Sequence, residues 1–262
     1  MIVELFGPPG AGKTTFAQEL ALELQEAGRQ ADVRLSSRPG EATARREAGS
    51  SIALGLGERM SRLTRPLFEL AIAVSFNAQS KARDTSTNRL VSILPANHPL
   101  AALRMRQYLI RLSAAWRKAR NGDGIVIFDQ GYVQAVSSIL LAKPHFLEDD
   151  MRTALALAPR SDLALHVVSP PEEIASRLNR RTQAMGGLGR LLESTVGDAT
   201  DHIYAADRLQ SELERVGRTV LTVRSAGDET LALELERVRA EIDEIEAKGT
   251  AGCVSTNVRE AG

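Results

Sequence analysis

Cysteine is almost missing from this 262-residue chain. Cys253 stands alone, so no internal disulfide can form, and the expected setting is a reducing one, the cytoplasm. Aromatic residues amount to only 4%, with Trp116 the single tryptophan. Charge of neither sign dominates: Lys+Arg and Asp+Glu stand at 33 each. That balance removes the overall field that would draw a protein to nucleic acid or to an acidic membrane surface, and neither is expected as a partner. Lysine is scarce as well, confined to Lys13, Lys81, Lys118, Lys143 and Lys248, which leaves the positive charge to arginine. Arginine suits bidentate contacts to phosphate, although genome composition explains such a bias as readily. Long hydrophobic runs are lacking. The first apolar stretch, residues 2–6, is far too short for a membrane span or a signal sequence. There is no internal repeat and no low-complexity tract.

What is present starts at once. Ile2-Val3-Glu4-Leu5-Phe6 reads as a short strand, and Phe16, Leu20 and Leu24 recur at helical spacing up to Gly28. Between them lies Gly7-Pro8-Pro9-Gly10-Ala11-Gly12-Lys13-Thr14, a complete Gly-x-x-x-x-Gly-Lys-[Ser/Thr] phosphate-binding loop followed by Thr15. Glycines let the backbone turn tightly and bring its N–H groups against phosphate oxygens. In such a loop Lys13 reaches the β- and γ-phosphates of a nucleotide, and the Thr14 hydroxyl ligates Mg²⁺. Residues 7–15 are therefore the expected site for ATP.

Further along, residues 31–35 read as a second strand whose exit, Ser36 to Glu41, is a polar turn. Exits at strand C-termini face the ligand crevice in open α/β sheets, so Arg38 and Glu41 are candidates for contact with a second substrate, or simply a solvated turn. Helices are expected over about 52–63 and 67–82. Residues 84–99 read as a polar loop around the apolar island Leu90 to Leu94, either a lid or an insertion. A long helix follows over about 100–119, with Leu103, Leu112, Ala115 and Trp116 on its buried side. Of its cations, Arg104 and Arg106 are candidates to hold an anionic substrate; a solvated face is the alternative.

Ile125-Val126-Ile127-Phe128 is wholly apolar and ends in Asp129. A buried strand closed by a carboxylate, paired with the phosphate loop, points to an Asp that faces the metal or takes a proton from an acceptor. Helices are expected over 133–142 and 146–158, then a strand over 163–168 in which His166 reads as a core histidine. Ser169-Pro170-Pro171-Glu172 has the form of a helix start, with Ser169 as cap. That helix carries Arg177, Arg180 and Arg181 and opens into the glycine-rich stretch from Met185 to Arg190. Arginines on a closing flap can stabilise a phosphoryl transition state while excluding water; an exposed amphipathic helix with a flexible connector is the alternative. A helix to Val216, a strand over 219–223 with an exit at Arg224 to Gly227 suited to an adenine ring, and an amphipathic closing helix marked by Leu231, Leu235, Val238, Ile242 and Ile245 complete the pattern. A disordered tail is expected over 247–262.

Five strands alternating with helices, with the loop at the start, Asp129 after the third strand and the Ser169-Pro-Pro-Glu-Glu start of an arginine helix, resemble the P-loop nucleoside and nucleotide kinases, most closely the thymidylate kinase-like group. The resemblance covers residues 1 to about 246. It implies a three-layer α/β fold with a five-stranded parallel sheet in the order 2-3-1-4-5. It also implies a LID-like loop over about 177–195; the 84–99 segment, by contrast, is an insertion that departs from that group's pattern. The chain departs from that group in having Asp129-Gln130 where Asp-Arg is usual, which weakens the case for a nucleoside monophosphate acceptor. A hydroxyl acceptor with Asp129 as base, or a clamp rebuilt from Arg104 or Arg106, would accommodate the change.

Two functions stay open on this reading. One is an enzyme that transfers the γ-phosphoryl of Mg²⁺-ATP to a nucleotide, nucleoside or similar small metabolite, with Lys13, Asp129, Arg177, Arg180 and Arg181 as its catalytic groups. The other is a nucleotide-binding regulatory protein without acceptor phosphorylation. A homodimer is compatible with either.

Overall fold

The computed structural model describes residues 1–35, 85–93, 99–141, 148–184, 199–225 and 228–257. Its frame is a parallel sheet of β1 (Ile2–Phe6), β2 (Ala31–Arg34), β3 (Ile125–Phe128), β4 (Leu163–Val168) and β5 (Val220–Arg224). The strand order is β2-β3-β1-β4-β5, as expected, with β1 at the centre. Its neighbours are in register at Glu4↔Phe128 and Glu4↔Ala164. Parallel strands are covered by helices on both faces, which is why β1 and β3 read as nearly continuous apolar runs.

Successive side chains of a strand point to opposite faces, so β1 feeds two cores. Val3 and Leu5 join Phe16, Leu20 and Leu24 of α1 (Lys13–Glu26) and Leu235, Val238 and Ile242 of the closing helix α8 (Asp228–Asn257). Ile2 and Phe6 face the other way. There they meet Leu109, Leu112 and Trp116 of α3 (Pro99–Arg120), with α4 (Tyr132–Leu141), α5 (Glu148–Leu157) and α7 (Ala199–Arg215) completing the layer. With few aromatics to use, the chain concentrates them: Trp116 packs against Phe128 at 4.8 Å and edge-on to Tyr132 at 5.1 Å.

Three expectations are corrected. The 84–99 segment is not a loop throughout, because Thr85–Ser92 forms helix α2, packed on α3 and α5. Its apolar island supplies the anchor: Leu90 is fully buried, worth about 1.5–3 kcal/mol by burial alone. Thr87 is buried too, its hydroxyl 3.2 Å from the Tyr132 hydroxyl. The polar residues between these two anchors hid the helical period. Second, α8 continues to Asn257, so residues 247–257 are helical where a disordered tail was expected; once a helix is nucleated and packed, adding turns costs little. Third, Ser169 does not cap α6 (Pro171–Ala184), as set out below. The helices expected over 52–63 and 67–82, and the glycine-rich stretch from 185, lie outside the described residues. Among the described residues, no helix is long and apolar enough to cross a membrane.

Candidate active site

The loop joins the C-terminal end of β1 to α1 at the centre of the sheet, and its glycines are required by position. Gly7 has φ +144°, and a Cβ there would stand 2.4 Å from the Val167 carbonyl oxygen of β4. Gly12 has φ +92° and would place a Cβ 2.3 Å from Ser225 Oγ at the exit of β5. As N-cap of α1, Gly12 has no side chain to satisfy the helix's first N–H groups. Those donors, with the positive end of the helix dipole, are left for an anion.

Lys13 is 8% exposed, and its Nζ donates to the carbonyls of Gly7 and Pro8 at 2.7 and 2.8 Å. Its ammonium thus lies within the loop rather than in solvent. Next to it, the Thr14 hydroxyl donates to Asp129 Oδ2 at 3.1 Å. Asp129 is 3% exposed, at the end of β3, which the sheet sets directly beside β1. The structure therefore brings together two residues far apart in sequence whose pairing was expected. A hydroxyl and a carboxylate side by side are hard oxygen donors of the kind Mg²⁺ takes, which fits the ion the loop implies.

Arg177 is also brought in. From α6 its Nη1 donates to the Gly10 carbonyl at 3.0 Å and its Nη2 to Glu173 at 2.8 Å and the Ser225 carbonyl at 3.4 Å. It ties α6, the loop and the β5 exit together. The Ser169 hydroxyl, expected to cap α6, donates instead to the Ala11 carbonyl at 3.1 Å, while the Pro170 carbonyl accepts the first amides of α6. Arg180 shares a shallow open surface hollow with Arg177, Glu172, Glu173 and Ser176. Arg106 is half-buried on α3. The side chains of Arg104 and Arg181, and the whole of Arg38 and Glu41, lie outside the described residues.

Four residues around the loop were not singled out by any sequence motif. Gln134 of α4 accepts the Gly7 N–H at 3.0 Å. Glu4, fully buried in β1, accepts the Val133 N–H at 3.0 Å and the Ser161 hydroxyl at 2.8 Å. Burial pushes the Glu4 carboxyl above its ordinary pKa, opposed by those hydrogen bonds and by the charge of Arg218. Gly131 packs directly on Glu4. Tyr108, kept protonated by burial and by the nearby Asp129 charge, donates to the Gln130 carbonyl at 2.9 Å.

His166 is a core histidine, as expected. It is 1% exposed, stacks on Phe6 at 4.8 Å, and has Nδ1 2.6 Å from Gln210 Oε1. Burial lowers its pKa below 6.5; Gln210, Asp207 and Glu214 oppose this, and the Lys13 charge reinforces it. The unfolded histidine binds its proton near the ordinary value, the folded one only at lower pH. Between the two, the unfolded state holds more protons, so stability is complete above about pH 6.5 and is lost as pH falls. Urea midpoints measured at successive pH values from 7.5 to 5 should fall more steeply in the wild type than in His166→Asn. Equal slopes would mean that His166 does not carry the effect.

No protein-family model matches the chain, and no curated protein does. Among solved structures it is similar to that of a deoxyadenosine kinase from M. mycoides with products dCMP and a flexible dCDP bound. There the identity is 12%, over 93% of this chain and 100% of that one, with a TM-score of 0.47. For the same kinase with bound dATP the identity is 11%, with the same coverage and a TM-score of 0.45. The chain itself has the strand order, the phosphate loop and the Asp-bearing strand of an α/β P-loop fold.

Proposed function

We propose that this chain is an ATP-dependent kinase of small molecules, transferring the γ-phosphoryl of Mg²⁺-ATP to a nucleotide, nucleoside or similar metabolite. The observation that carries this reading is the Thr14–Asp129 hydrogen bond beside Lys13, which sets a metal-type donor pair at the mouth of a phosphate loop. Backbone N–H groups of the loop and the start of α1, from Gly10 onward, hold the phosphates, and Lys13 exchanges its hydrogen bonds with loop carbonyls for bonds to phosphate oxygens. Mg²⁺, when bound by Thr14 and Asp129, neutralises phosphate charge and fixes its orientation. Where the acceptor is a hydroxyl, Asp129 is also the group placed to take its proton. Arg177, with Arg180 and Arg181 on the same helix, supplies positive charge beside the loop for the transferring group. Arg38, Arg104 and Arg106 are assigned to an anionic acceptor.

A regulatory nucleotide-binding protein is the second reading, favoured by Gln130 in place of the arginine usual in the kinase group. An ADP-release assay with Mg²⁺-ATP and a panel of nucleosides, nucleoside monophosphates and small hydroxylated metabolites separates the two. Stimulation by at least one panel member, lost in Lys13→Ala, is the outcome expected of a kinase. Tight ATP binding with no stimulation by any of them supports the regulatory reading instead.

A further inference from the structure

Helix α4 begins without a cap of its own. Its first intrahelical bond runs from the Ala135 N–H to the Gly131 carbonyl, which makes Gly131 the N-cap residue. An N-cap side chain ordinarily accepts the N–H of the second or third helical residue, and glycine has none to offer. Here that acceptor comes from another strand: Glu4 Oε2 takes the Val133 N–H at 3.0 Å. The arrangement also explains the glycine, since a Cβ on residue 131 would lie 2.2 Å from Glu4 Oε2 and 2.7 Å from Glu4 Cβ. The other carboxyl oxygen is held by Ser161 at 2.8 Å, so Glu4 is fixed at both ends.

The helix turn capped in this way is the one that touches the phosphate loop. Gln134, its third residue, accepts the N–H of Gly7, the residue that opens the loop. The same turn follows immediately on Asp129, which holds Thr14. On the nucleotide-binding reading given above, we propose that Glu4 is a positioning residue. From the middle of β1 it caps α4, and through Gln134 that cap sets the Gly7 end of the phosphate loop. Glu4 touches no nucleotide. It acts by keeping the first turn of α4 where Gln134 can reach Gly7.

Hydrogen-bond geometry and chain length, rather than charge, carry this role. A glutamine at position 4 can accept the Val133 N–H with its oxygen and donate to Ser161 with its nitrogen. An aspartate keeps the charge but falls one methylene short. The test measures Kd for a fluorescent ATP analogue, with urea midpoints alongside, in wild type, Glu4→Gln, Glu4→Asp, Glu4→Ala and Gln134→Ala, and in the double variants Glu4→Ala/Gln134→Ala and Glu4→Asp/Gln134→Ala. Glu4→Ala, Glu4→Asp and Gln134→Ala are expected to raise Kd about tenfold each. Glu4→Gln should recover most of the affinity. The double variants should bind no more weakly than the single ones, because both changes break one chain of contacts. If Glu4→Ala does not fold, Glu4→Asp alone and combined with Gln134→Ala decides the question.

Variants that bind within twofold of wild type while only their urea midpoints move would overturn the inference, as would effects at Glu4 and Gln134 that simply add. Failure of the wild type itself to bind the analogue would overturn the nucleotide reading, and the inference with it.

Discussion

Gly7→Ala is expected to lose measurable binding of Mg²⁺-ATP and to melt on the order of 10 °C below the wild type. Two separate costs produce this. Gly7 sits at φ +144°, where an alanine is strained by about 1–2 kcal/mol. Its new methyl would also stand 2.4 Å from the Val167 carbonyl oxygen, which belongs to a buried strand and cannot move aside cheaply; overpacking of that kind costs about 1–3 kcal/mol. The backbone must therefore shift at the point where β1 becomes the loop, carrying the Gly7 N–H away from Gln134 and the Gly7 carbonyl away from Lys13. Gly28→Ala provides the control. Gly28 has φ +76° but nothing within 4 Å of the added methyl, and it lies at the far end of α1. It should show the conformational cost alone and bind ATP as the wild type does. Differential scanning calorimetry and nucleotide titration on the three proteins check this. A Gly7→Ala protein that binds normally would mean that the loop does not follow this path.

Lys13→Ala is expected to reduce ADP formation by at least about 10²–10³-fold, the loss typical of removing a preorganised charge-stabilising donor. Its melting temperature should change little by comparison. The ammonium is nearly buried and satisfied by the two loop carbonyls, so its removal deletes both a desolvation penalty and the bonds that offset it. The contrast with Gly7→Ala is informative: one change bends the frame, the other removes a charge and leaves the frame standing. Steady-state rates combined with melting curves distinguish them. A Lys13→Ala protein with wild-type turnover would place the chemistry elsewhere.

Much of the frame was legible because it rests on local patterns. The run Ile2–Phe6, the loop and the Phe16-Leu20-Leu24 period state a strand, a turn and a helix within a short window, and the structure has them there. Ile125–Phe128 with Asp129 was legible for the same reason, and its pairing with β1 follows once the strand order does. Helix α2 was hidden because its sequence, Thr85–Ser92, is mostly polar, with Leu90 and Val91 its only apolar residues and no repeating apolar period. Ser169 differs from expectation because a Ser-Pro-Pro-Glu start has the form of a cap, yet α6 begins one residue later, at Pro171, and the Ser169 hydroxyl donates to the Ala11 carbonyl. The roles of Gly131 and Gln134 have no signal in the sequence, and that of Glu4 only a faint one. Their roles exist only through contacts between residues 4 and 133 and between 7 and 134, which no periodicity announces. A charged residue inside an otherwise apolar central strand is the one available hint, since a buried carboxylate needs partners.

The most direct measurement follows the γ-phosphoryl itself. ATP labelled at that position, Mg²⁺ and the panel of candidate acceptors are incubated with the wild-type protein and with Lys13→Ala, and the products are separated. Phosphoryl transfer at this site puts label on one class of small acceptor in the wild type and none in Lys13→Ala. Label that remains on ATP with every acceptor, or that appears only as inorganic phosphate at a rate no acceptor changes, would contradict phosphoryl transfer as the function of this site.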